Sequence, residues 1–99
     1  MRLREIAHSR TGDKGDISNI SVIAFDPKDF SLLAERVTAE RVAALFAGLA
    51  TGPVTRYELP YVGALNFVLE GALGGGVTRA LTLDAHGKSL SSLMLELEI

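Results

Sequence analysis

The sequence predicts an α+β domain of about five mainly antiparallel strands in the order ββααβαββ, with the helices packed on one face. Three observations lead there. Residues 19–25 and 89–99 alternate apolar and polar with the period of a half-buried strand. Between them, two helix-start signals are each followed by an apolar stripe at helical spacing. Glycine and proline then punctuate the chain at 52–53, 60, 74–76 and 87, as turn residues do.

Taken in order, residues 2–8 read as a first strand, with Leu3, Glu5 and Ala7 on one side and Arg4, Ile6 and His8 on the other. A polar loop, Ser9 to Asn19, leads into a second strand over residues 19–25, where Ile20, Val22 and Ala24 face one way. Asp26-Pro27 opens a helix, because the carboxylate accepts from free first-turn amides and proline is pre-set for the first helical position. Phe30, Leu33, Ala34 and Val37 form its apolar face. Thr38 caps a second helix carrying Val42, Leu45, Phe46 and Leu49, and Gly52-Pro53 stops it. Residues 54–59 read as a third strand closed by Pro60. Ala64 to Leu73 reads as a short helix with a stripe of Leu65, Val68, Leu69 and Ala72 and with Asn66 and Glu70 as neighbours on its polar side. Val77 to Asp84 and Ser89 to Ile99 read as the last two strands, joined by a turn at Ala85 to Lys88.

The 99 residues are enough for one modest core and make one domain, residues 1–99. With no cysteine, disulfides and thiolate metal sites are excluded. The formal charge of -2 is small and mixed, which speaks against a nucleic-acid partner, whose recognition calls for a basic patch. No apolar run reaches the roughly 18 residues of a membrane span, and Met1-Arg2-Leu3-Arg4-Glu5 lacks the apolar core of a signal peptide. The expectation is a cytoplasmic protein with no membrane partner.

The chemistry is concentrated in Ser9-Arg10-Thr11-Gly12-Asp13-Lys14-Gly15-Asp16-Ile17-Ser18-Asn19. This stretch is longer and more ionisable than turning the chain requires. Gly12 and Gly15 permit amides to converge on an anion, with Arg10 and Lys14 adding charge. Asp13 and Asp16 suit a cation or general acid/base work equally well. A plain charged hairpin, whose aspartates bond their own backbone, accounts for the same residues. The spacing of the two glycines excludes a Walker phosphate loop. His8, beside this loop, is a candidate acid/base group but reads more simply as structural, and His86 as a solvated turn residue. With two histidines and no close carboxylate spacing, no metal site is expected. Arg79 interrupts the apolar row of Val77, Leu81 and Leu83, so it calls for a partner, either Glu70 or an anion held with the triple glycine Gly74 to Gly76.

Two motifs, Ser9 to Ile20 and Gly63-Ala64-Leu65-Asn66-Phe67-Val68-Leu69-Glu70-Gly71-Ala72-Leu73-Gly74-Gly75-Gly76-Val77-Thr78-Arg79, together resemble the small carboxy-terminal domain of the acyclic terpene utilisation (AtuA-like) proteins. The likeness spans nearly the whole chain. It implies a ferredoxin-like two-layer fold that occurs fused to a larger domain or as a separate chain, and a setting in catabolism of terpenoid or branched acyl compounds as CoA thioesters. No catalytic residue carries over; only the positions of the two motifs do. The expected site therefore comprises Asp13, Lys14 and Asp16 as catalytic candidates and Arg10, Gly12, Gly15, Asn19, Asn66, Glu70 and Arg79 as binding candidates. The expected partners are an AtuA-like large protein or domain, further subunits in a homo- or hetero-oligomer, and an acyl-CoA ligand, with no cofactor indicated. Three functions fit: a partner subunit contributing the Gly-Asp-Lys-Gly-Asp loop to a shared site, a self-sufficient homo-oligomeric enzyme with its site between subunits, and a docking module without chemistry.

Overall fold

The computed structural model describes residues 1–14, 17–47, 52–71 and 88–99, without the side chains of Asp13, Lys14, Lys88 and Ser89. After a 3-10 turn at Leu3–Glu5 come strands β1 (Ala7–Lys14) and β2 (Ile17–Ala24), helices α1 (Phe30–Arg36) and α2 (Ala39–Leu45), strands β3 (Val54–Leu59) and β4 (Ala64–Glu70), and helix α3 (Lys88–Leu95). The described strands form one antiparallel sheet in the order β1-β2-β4-β3.

Local chemistry accounts for several of these elements. Along β2 buried and open positions alternate without exception from Ile17 to Ala24, as a strand with one core face and one wet face requires. The Asp26 carboxylate accepts from the Lys28 amide at 3.0 Å and starts a turn at Pro27–Asp29 that runs into α1. Thr38 Oγ1 accepts from the Arg41 amide at 3.1 Å, so the chain makes two helices here and not one. Pro60 ends β3 with a 3-10 turn.

The core lies on one side of the sheet. Ile20, Val22 and Ala24 of β2 and Leu65, Phe67 and Leu69 of β4 pack under Leu33 and Val37 at α1, Val42 and Phe46 at α2, and Leu90 and Met94 of α3. Arg56 of β3 also points to this side. Its guanidinium donates to the carbonyls of Ala34 (2.7 Å) and Val37 (3.0 Å), two of the acceptors left free where α1 ends, and it also pairs with Glu58 at 3.0 Å. Gly52 lets the chain enter β3 tight against β4: its amide donates to the Glu70 carbonyl at 2.8 Å, and a Cβ there would lie 2.6 Å from that oxygen. The two ends of the described chain meet. Arg2 bridges to Glu98, the Leu3 amide donates to the Leu97 carbonyl, and Arg2 and Arg4 both hold Glu96.

Four expectations need correction. Residues 2–6 are not strand; β1 begins at Ala7 and continues to Lys14, through most of the stretch read as a loop. Residues 64–70 are a strand in the middle of the sheet and not a helix. Apolar residues at 64, 65, 67, 68 and 69 satisfy a helical stripe and an alternating row alike, and the burial of Phe67, which the helical stripe leaves out, shows which one the chain uses. Residues 88–95 are a helix and not a strand. There the alternation of Leu93, Leu95 and Leu97 coexists with a helical set of Leu90, Leu93, Met94 and Leu97, and packing against the sheet selects the second. The predicted element order accordingly fails at both places, while the α+β class, the antiparallel sheet and the single helical layer stand. Lys88, expected in the turn, opens α3, while the predicted strand 77–84, the rest of that turn and Gly74 to Gly76 lie outside the described residues.

Candidate functional site

The two motifs come together through strand pairing. β1 and β2 are the arms of a hairpin in which Lys14 pairs with Ile17, and β4 lies against the other side of β2, with Ile17 opposite Glu70 and Ser21 opposite Asn66. The hairpin and residues 64–70 of the downstream motif are thus neighbours along β2.

Side chains alternate between the two faces of a strand, so the register assigns each predicted residue to a face. Ala7, Ser9 and Thr11 share the core face with Ser18, Ile20 and Val22; the Ser9 and Thr11 hydroxyls are buried with no hydrogen-bond partner among the described residues. Position 13, paired with Ser18, belongs to that core-face row as well, while the opposite face of the sheet, which no described helix covers, carries Arg10, Gly12, Asn19, Asn66 and Glu70. One row across it runs Arg10, Ser21, Asn66, Tyr57, each residue directly opposite the next on adjacent strands. At the roughly 4.8 Å spacing of neighbouring strands, this polar row spans about 14 Å. The row on its hairpin side is Gly12, Asn19, Val68, Thr55, and the row on its other side is His8, Ile23, Ala64, Leu59.

Within the polar row, Ser21 Oγ donates to Asn66 Oδ1 at 3.3 Å, so the two side chains meet across β2 and β4. Arg10 is exposed and forms no ion pair with any described residue. Asn19 lies across Gly12: a Cβ at that position would come within 3.1 Å of Asn19 Oδ1, so the glycine makes room for the amide. Below it, the buried Ser18 hydroxyl donates to the Gly12 carbonyl at 3.3 Å and ties the hairpin arms together. Arg10, Asn19 and Asn66 thus present one cation and two amides on one face of the sheet. Such a set can bind a carboxylate or another anion through charge-assisted hydrogen bonds.

Of the remaining candidates, Glu70 ends β4 on this same face, exposed and opposite Ile17. It is four strand residues from Asn66, roughly 13 Å, and so not its neighbour as a helix would have made it. Asp13 and Lys14 close β1, paired with Ser18 and Ile17. Gly15, Asp16, Arg79 and His86 lie outside the described residues, and with Arg79 the expected Glu70-Arg79 pair. His8 is not beside the hairpin tip: it sits at the far end of β1 from it, exposed, and stacks on Phe25 with ring centroids 5.5 Å apart. Ser21 and Tyr57 were missed, because their place in the row depends on which strand pairs with which. The alternation of β2 does put Ser21 on the face of Asn19, and that was the one available signal. Among the described residues no group of three or more His, Asp or Glu side chains is gathered to hold a metal ion, and no helix is long and apolar enough to cross a membrane.

Comparison with curated proteins and with solved structures gives no match. The profile of one family, described as the AtuA ferredoxin-like domain, matches residues 1–99. With that match over the whole chain, an antiparallel sheet and helices on one side of it, the chain belongs to the AtuA ferredoxin-like domain family.

Proposed function

We propose that this chain is a small partner subunit of an AtuA-like large protein in the catabolism of terpenoid or branched acyl compounds carried as CoA thioesters, and that it supplies the Gly12-to-Asp16 hairpin and the polar face beside it to a shared site. The observation that supports this reading is that Arg10, Asn19 and Asn66 share one face of the sheet, a face that no described helix covers. A small ligand is normally enclosed over most of its surface, whereas a sheet face covers it from one side only. A second surface is needed to close the site. Arg10 then holds a carboxylate, thioester oxygen or phosphate, Asn19 and Asn66 orient it, and Lys14 with Asp13 or Asp16 handles charge or a proton at the tip.

The test is coexpression with an AtuA-like large protein followed by an acyl-CoA activity screen of the copurified complex. Alanine at Asp13 and Lys14 together should abolish turnover while leaving the affinity of the two chains unchanged. Loss of affinity with intact chemistry would reduce the hairpin to a docking element. Turnover by this chain alone would overturn the partner-subunit reading in favour of a homo-oligomeric enzyme.

A further inference from the structure

The outer edge of β3 carries backbone groups that no described strand pairs. The phase of the sheet follows from two backbone bonds, Ala24 amide to Gly63 carbonyl (2.9 Å) and Glu70 amide to Pro53 carbonyl (3.2 Å). The first makes Gly63, Leu65, Phe67 and Leu69 the residues whose backbone groups face β2; the second makes Glu70, Val68, Asn66 and Ala64 those that face β3. On β3, Thr55, Tyr57 and Leu59 therefore bond inward, and the amides and carbonyls of Val54, Arg56 and Glu58 point away from the sheet. No described strand lies beyond β3. Thr55, Tyr57, Glu58 and Leu59 are all exposed, with Tyr57 at 53% and Leu59 at 45%.

A strand edge that no described strand covers is a template for another strand, and proteins often defend such edges with charge. Here the charges are self-complementary. In an antiparallel pair of two copies centred on Tyr57, Arg56 of each copy stands opposite Glu58 of the other, and these are residues whose backbone groups point outward. Two hydrogen-bonded pairs and four backbone bonds form together, and the Arg56-Glu58 pair within each copy (3.0 Å) joins that of the other into a four-charge cluster of alternating sign, with Tyr57 facing its own symmetry mate at the twofold axis. Moving the centre to Arg56 would put two guanidiniums face to face. Charge thus selects the Tyr57 register.

We propose that β3 docks a second copy of this chain by antiparallel edge pairing centred on Tyr57, which joins the described four-stranded sheets of the two copies into one. In that register the polar rows of the two copies run on into each other, Arg10-Ser21-Asn66-Tyr57 meeting Tyr57-Asn66-Ser21-Arg10. The open faces lie side by side and remain free, so the pairing is independent of the partner-subunit reading above.

The test exploits the absence of cysteine from the chain. At a non-hydrogen-bonded pair the two Tyr57 Cα atoms lie about 4.5 Å apart, within disulfide range. The two Thr55 Cα atoms lie roughly 13 Å apart, beyond it. Tyr57→Cys should form a covalent dimer under mild oxidation and Thr55→Cys should not. Sedimentation of the unmodified chain should show a reversible dimer, and Glu58→Arg, which opposes two arginine pairs, should weaken it about tenfold. Glu58→Pro removes an outward amide without touching the bonds to β4 and should leave a folded monomer by circular dichroism. A chain that stays monomeric up to about 1 mM, the weak limit of specific association, would overturn the proposal. So would equal cross-linking at positions 55 and 57.

Discussion

Replacing Phe67 and Val68 by alanine, one at a time, separates the strand at 64–70 from the helix that its composition also permits. On a helix, Val68 would sit in the apolar stripe with Leu65, Leu69 and Ala72, and Phe67 would lie off it. On β4, Phe67 is fully buried between Ile20 of β2 and Arg56 of β3, while Val68 lies half-buried on the open face. Truncating a buried phenylalanine removes its transfer free energy and leaves a cavity, a loss of roughly 3–5 kcal/mol. The Val68 change removes two methyl groups from a surface that water already reaches, and should cost less than about 1 kcal/mol. For a chain of this length, about 1 kcal/mol moves the midpoint by roughly 4–8 °C, so Phe67→Ala should lower Tm by at least about 12 °C and Val68→Ala by less than about 8 °C. Urea denaturation followed by far-ultraviolet circular dichroism gives the free energies directly. A Val68→Ala loss equal to or larger than that of Phe67→Ala would refute the register of β4, and with it the row that aligns Asn66 with Arg10.

Gly52→Ala brings a Cβ to 2.6 Å from the Glu70 carbonyl oxygen and 2.9 Å from its carbon, both backbone atoms. It should destabilise the chain by about 1–3 kcal/mol in urea denaturation, the usual cost of overpacking. Arg56→Ala leaves the Ala34 and Val37 carbonyls without the guanidinium that joins β3 to α1, and should cost about 1.5–3 kcal/mol in the same assay. Arg56→Lys should recover only part of it, since one ammonium replaces a planar fork. Glu96→Gln breaks exposed pairs to Arg2 and Arg4 and should cost no more than about 1 kcal/mol, a loss that shrinks further when unfolding is repeated at high salt.

Features made by residues close in sequence were legible before any coordinates. Asp26 and Thr38 signal helix starts because their side chains reach amides two or three residues on, a distance the sequence states. β2 declares itself because one of its faces is core and the other is not. The candidate site was half legible: the density of Gly, Asp, Lys and Arg in residues 9–19 marked the hairpin, but the same polarity made two strand arms look like one long loop. An edge strand with a wet face has few apolar residues to announce it. Segments 64–70 and 88–95 were misread for the opposite reason, having apolar residues at enough positions to satisfy periods of 2 and 3.6 at once.

By itself, then, the sequence determined the α+β class, the two helices between 30 and 45 with their start signals at Asp26 and Thr38, the strand end at Pro60, and the stretch where polar chemistry collects. Only the tertiary structure decided that residues 64–70 run as a strand between β2 and β3, that 88–95 coil over the sheet, and that Arg10, Ser21, Asn66 and Tyr57 share one row. Periodicity within a segment says which residues want a common side. Burial against another segment, and the register in which two strands exchange hydrogen bonds, are set by partners tens of residues away, and no local pattern encodes them.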